Sequence, residues 1–170
     1  MLIRPASDEH AEYYGKYVAL VPDGEFATVM TSGHAALVAR MRGNAAKAGF
    51  AYAAGKWTLA ESLLHLADAE RVFSYRMLSF LRGETTPLPG FDENAWAPQG
   101  KAAVRDFGGV VDEFEAVRQA TIALVRGAPA GAWANRGTMS GTTATARATA
   151  YIIAGHERHH DALFHERYGV

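Results

Sequence analysis

The chain has 170 residues, no cysteine and a formal net charge of -1 from 17 Lys/Arg and 18 Asp/Glu. Interspersed charges leave no basic face for nucleic acid, and no apolar run reaches the roughly 18 residues of a membrane span. Without thiolates, any bound metal must be held by nitrogen and oxygen.

The first ten residues, "MLIRPASDEH", carry charges where a secretory segment needs apolar side chains, so a cytoplasmic protein is expected. Alanine is frequent and the few prolines fall between periodic segments, the profile of a helical chain. A short helix is predicted over 7–18, opened by Ser7 and carrying Tyr13, Tyr14 and Tyr17. A longer one follows over 24–48 with an apolar stripe at Phe26, Val29, Met30, Leu37 and Met41. Thr58 and Glu61 form a capping box that starts a helix ending near Arg82-Gly83. Its stripe is Leu59, Leu63, Leu66, Phe73, Met77 and Phe80.

The connection "GETTPLPGFDENAWAPQGK" is too long for a hairpin. A helix of about 25 residues is roughly 38 Å long, a span that some 18 extended residues can recross. The segment is therefore expected to run back along the bundle, making the flanking helices parallel and returning Asp92, Glu93 and Trp96 to the N-terminal end of the 58–82 helix. A helix over 101–126 repeats the stripe with Val104, Phe107, Val111, Phe114, Ile122 and Val125. The last, over 143–167, carries Ile152, Ile153, Leu163 and Phe164. No period-2 strand and no internal repeat is read. The expected fold is all-α: one four-helix-bundle domain over 1–170 with a short N-terminal helix. Glu70 and Arg118 interrupt the middle of apolar stripes on different helices, so they are expected to pair inside the bundle.

The stretch "AGHERHHDAL" holds three of the seven histidines. His156-Glu157-Arg158-His159-His160 fits the H-E-x-x-H pattern of zinc peptidases. Only ten residues follow His160, however, too few for a downstream third ligand, and no strand is available to align a peptide. A di-iron site would need two Glu-x-x-His units, and only Glu157/His160 fits. His156 and His160 lie about 40° apart on the face of Ile152, Ile153 and Leu163, so both rings aim at one point. His159 points about 60° to the other side and His165 away from the stripe. A third ligand must then lie upstream. His10 and His34 are expected on the surface; His65 flanks its helix with small neighbours Ser62 and Ala69, and Arg76 further along the same face, and is the candidate.

The phrases "GKWTLAESLLHLADAERVFSYRML", "TPLPGFDENAWA", "EAVRQATIALVR" and "ATAYIIAGHERHHDAL", in that order and spacing, resemble the DinB-like (DinB/YfiT) superfamily over nearly the whole chain. The resemblance implies a bundle of up-down-down-up order. It also implies one divalent metal ion per chain, commonly zinc or nickel with iron or manganese as alternatives, on three histidines that map onto His65, His156 and His160. It further implies a homodimer, and a small-molecule substrate handled with a low-molecular-weight thiol. Three neutral imidazoles leave an ion its full charge and an open position. The expected function is thiol-dependent transfer at that site. The alternatives are a hydrolase using metal-bound hydroxide and a non-catalytic metal- or ligand-binding protein. Asp92, Glu93 and Glu157 are the candidate acid-base groups, with Asp92 and Glu157 as the first choices, and Asp68 could orient an imidazole.

Overall fold

The computed structural model describes residues 2–170. Four helices form the bundle: α2 (Phe26–Gly43), α3 (Leu59–Leu81), α5 (Phe107–Gly127) and α6 (Ala146–Leu163). A short α1 (Glu12–Ala19) precedes them, and a single turn, α4 (Glu93–Trp96), lies within the connection between α3 and α5.

Local chemistry sets these bounds. Thr58 Oγ1 accepts from Glu61 N while Glu61 Oε2 accepts from Thr58 N, the reciprocal box that starts α3. Glu25 caps α2 by accepting from Ala27 and Thr28 N–H, and α2 ends at Gly43, five residues short of the predicted limit. Asp106 accepts from Gly109 N–H and fixes the start of α5. Residues 102–104, predicted as helical, form a separate 3-10 turn after Lys101, whose φ is 49°. Val104, placed on the α5 stripe from spacing, is consequently 83% exposed.

Pairings along the helices establish their directions. Glu70 meets Arg118, and one turn on Ser74 meets Thr121, so α3 and α5 are parallel. Ser62 meets His160 while the His65 ring meets that of His156, so α3 and α6 are antiparallel. The Gly33 Cα faces Arg158, and Arg40 pairs with Asp161, so α2 and α6 run together. The connection over 82–106 is therefore the crossover expected from its length.

One expectation is overturned. Residues 136–145 form an antiparallel hairpin, β1 (Arg136–Met139) with β2 (Thr142–Thr145), where no strand is read from the sequence. Ser140 and Gly141 turn it with φ of 51° and 76°, the pair of positive values that a two-residue type I′ hairpin requires. Leu88 of the crossover adds one parallel bridge to β1, donating to Thr138 O and accepting from Ser140 N–H. Thr145 then caps α6 by accepting from Ala148 N–H, so α6 begins three residues later than predicted.

The apolar core has two halves. One gathers Phe26, Met30, Met77, Phe80, Ile122 and Ile152 near the hairpin; the other gathers Leu37, Met41, Leu63, Val111, Phe114 and Phe164 near the opposite end. Between them lies a polar layer. Arg118, 1% exposed, donates to both oxygens of Glu70 and to Glu157. His34 Nδ1 donates to Glu157 Oε2 at 2.7 Å. The predicted Glu70–Arg118 pair is thus present, enlarged by two residues. His34, expected at the surface, is buried because α2 packs against both α5 and α6 and so hides a wider face than its apolar stripe defines. Among the described residues, no helix is long and apolar enough to cross a membrane.

Candidate metal centre

The antiparallel approach of α3 and α6 sets His65, two turns into its helix, opposite His156 and His160. Their ring centroids are 5.2, 5.2 and 4.7 Å apart, and each imidazole offers a nitrogen within 4.8 Å of the others. Ser62 Oγ lies 3.3 Å from His160 Nδ1. A proton on Nδ1 donated to that hydroxyl leaves Nε2 with a free lone pair. Trp57 tilts against His65 at 4.9 Å, and Tyr17 meets His156 edge-on at 5.3 Å.

Burial makes protonation of these rings costly. It pulls His65 down to about 4, although Glu93 pulls the other way. It pulls His156 to about 3, with repulsion from His65 adding to the effect, and His160 well below its ordinary value. At neutral pH the three imidazoles are neutral, the state in which nitrogen binds a metal. A set of three neutral nitrogens with no carboxylate among them fits zinc or nickel better than calcium or magnesium. Among the described residues, no other trio of histidines and carboxylates converges in this way.

The histidines line a cavity of about 410 Å³. Tyr13, Tyr14 and Tyr17 of α1 form one wall, and Ala69, Phe73 and Arg76 of α3 form the floor. Trp57 before α3, Phe91 and Glu93 of the crossover and Ser140 of the hairpin turn complete it. α1 can lie this close because Gly155 lacks a side chain: a Cβ there would fall 2.0 Å from Tyr17 O.

The remaining candidates occupy other positions. Asp92 is exposed and outside the cavity lining; its Oδ1 accepts from Asn94 and Ala95 N–H, so it serves as the cap of α4. Its neighbour Glu93 lines the cavity instead. Glu157, 5% exposed, faces the polar layer, with both oxygens taken up by Arg118 and His34. Asp68 pairs with Arg71 rather than with an imidazole. His159 and His165 are exposed, and His159 stands on the outer side of Tyr17. Ser140 and Phe91 were missed as lining residues. A Ser-Gly pair between threonine-rich segments was the available signal for the first.

A profile for the DinB superfamily matches residues 23–164, a span that includes all three histidines. The chain belongs to the DinB superfamily. Two solved structures share its fold. The first, YfiT from Bacillus subtilis, is described as a probable metal-dependent hydrolase with an unusual four-helix bundle topology. It is 20% identical, with a TM-score of 0.72 over 85% of this chain and 86% of that one. The second, a mycothiol-dependent maleylpyruvate isomerase, is 18% identical, with a TM-score of 0.68 over 81% of this chain. This DinB superfamily member spans only 58% of that second protein. No curated protein matches in sequence.

Proposed function

We propose that this DinB superfamily protein is a metal-dependent enzyme holding one divalent ion on His65, His156 and His160, and that it acts, as a homodimer, on a small electrophilic substrate. The observation that carries the reading is the convergence of three neutral imidazoles in the lining of a cavity large enough for a small molecule. An ion bound there supplies positive charge that lowers the pKa of a water or thiol nucleophile.

The chain's own groups do the rest. Ser62 holds the His160 tautomer. Trp57 and Tyr17 flank the rings and orient them. Glu93, the carboxylate that lines the cavity, is our candidate in place of Asp92 or Glu157 to take a proton from the nucleophile and return it to the leaving group.

Thiol transfer is the first reading, supported by an aromatic wall suited to a soft, polarizable sulfur nucleophile and by the likeness to a mycothiol-dependent isomerase. Hydrolysis is the second, supported by the near-complete overlap with a probable metal-dependent hydrolase. The test is consumption of a reduced low-molecular-weight thiol with a model electrophile, run beside a panel of esters and amides. Metal-loaded protein is compared with the His156→Ala variant. Turnover lost in the variant supports the reading, and the substrate class that turns over selects the branch. Equal rates in both proteins would show that the metal takes no part.

A further inference from the structure

Two arginines are equally hidden in this protein, each 1% exposed, and their surroundings differ in kind. Arg118 is neutralised by Glu70 and Glu157. Arg76 makes no ion pair with any described residue. Both of its hydrogen bonds leave from Nη2, to Pro89 O at 2.7 Å and Ser140 Oγ at 2.9 Å. These tie the crossover and the hairpin turn to α3. They leave Nε and Nη1 with no partner within the protein, in a group whose charge is costly to bury alone.

That charge stands in the wall of the histidine cavity. The guanidinium carbon is 5.0 Å from the centre of the Phe73 ring and 5.9 Å from that of Phe91, both lining residues. Ser140, which holds one edge of it, adopts a positive φ that a non-glycine residue rarely takes. His65, Ala69, Phe73 and Arg76 follow one face of α3. Eleven residues separate the first from the last, which is three turns and roughly 16 Å along the axis. An arginine side chain on a helix leans back toward the N-terminus, which here means toward the histidines.

We propose that Arg76 is the anchor for a carboxylate on the substrate, which accepts a single charge-assisted hydrogen bond from Nε or Nη1, since Nη2 is already engaged, while the rest of the molecule extends along α3 to the histidines. This rests on the proposed function for the identity of the reacting end, but not for the anchor itself. The anion is a carboxylate rather than a phosphate because one guanidinium neutralises one charge, and no second lysine or arginine lines the cavity. The substrate class is a small organic acid, several carbons long, with its electrophilic centre remote from the carboxylate.

The probe is benzoate, titrated calorimetrically into the full chain, with benzamide as its uncharged counterpart and inorganic phosphate as the competing anion. Metal content is measured on the same samples. Wild type should bind benzoate and not benzamide. Arg76→Gln should weaken benzoate at least about tenfold, since truncating one member of a buried charge pair has at least that effect. Arg76→Lys, which keeps the charge and loses the planar guanidinium, should fall between, and it serves as the reading if Arg76→Gln fails to fold. Protein stripped with phenanthroline and dialysed should keep its benzoate affinity within about threefold, because the anchor is not the ion. Unchanged benzoate affinity in both Arg76 variants overturns the proposal, as does phosphate binding wild type more tightly than benzoate. If the purified protein holds no metal yet loses benzoate in Arg76→Gln, the metal reading fails and the carboxylate anchor stands.

Discussion

At the scale of single residues, the histidines separate by surroundings rather than by sequence distance. His156, His159 and His160 are near neighbours in the chain, yet only the first and last meet His65. Replacing His65, His156 or His160 with alanine should abolish stoichiometric metal in elemental analysis, whereas His159→Ala should keep it. Nickel retained after nickel-affinity purification would not identify the native ion, since nitrogen sites take nickel readily. The polar layer beneath the site gives a different expectation. Arg118→Met leaves Glu70 and Glu157 buried and facing one another, and should cost about 3–5 kcal/mol in urea unfolding. Glu157→Gln should keep the contact with His34 and cost less, about 1–2 kcal/mol, with activity preserved in the folded fraction. The Glu70–Arg118 pair was legible because a charge inside an apolar stripe demands a partner. The burial of His34 was not, because a side chain beside a stripe is hidden or exposed according to how many neighbours the helix has.

At the scale of elements, α3 declared itself through a capping box and an unbroken stripe, and α6 through its apolar face. The hairpin did not: four-residue strands of small residues give a period-2 signal too short to compete with the helical pattern on either side. The start of α5 was misplaced because Val104 fits the stripe spacing, while the decisive group was the Asp106 cap two residues on. Two predictions belong here. Gly155→Ala would force α1 off α6, costing about 1–3 kcal/mol, and would pull Tyr17 from His156. Faster amide exchange over 12–19 with α6 still protected would show it, and an unchanged exchange pattern would refute the close contact. The second concerns acid. Glu9 accepts from Arg147, Thr145 Oγ1 and Ala6 N–H, and the Arg147 guanidinium foremost holds its carboxyl down to about 2 against an ordinary 4.5. A depressed folded-state value stabilises fully above pH 4.5 and is lost as pH falls through about 2. Glu9→Gln should therefore lower stability by about 1–3 kcal/mol at neutral pH, the range for hydrogen bonds to a charged group, and flatten the acid limb of the stability curve between those values.

At the scale of the molecule, the bundle topology was legible from one number, the length of the connection between α3 and α5, because a chain that long can recross a helix and a hairpin would not need it. The contents of the cavity were less legible. Its wall combines α1, the connection between α2 and α3, α3, the crossover, the hairpin turn and α6, and no local pattern announces a surface assembled from six segments. That assembly has a consequence in time. Glu9 binds Arg147, and the Tyr17 backbone rests on Gly155, so the first helix docks on the last. A ribosome releases the N-terminal residues first, and they must wait for a surface made about 130 residues later. Two of the three histidines lie on that last helix. Nascent chains should therefore acquire protease resistance and the capacity to retain a metal together, and only once α6 has left the ribosome, with truncations ending before His156 lacking both.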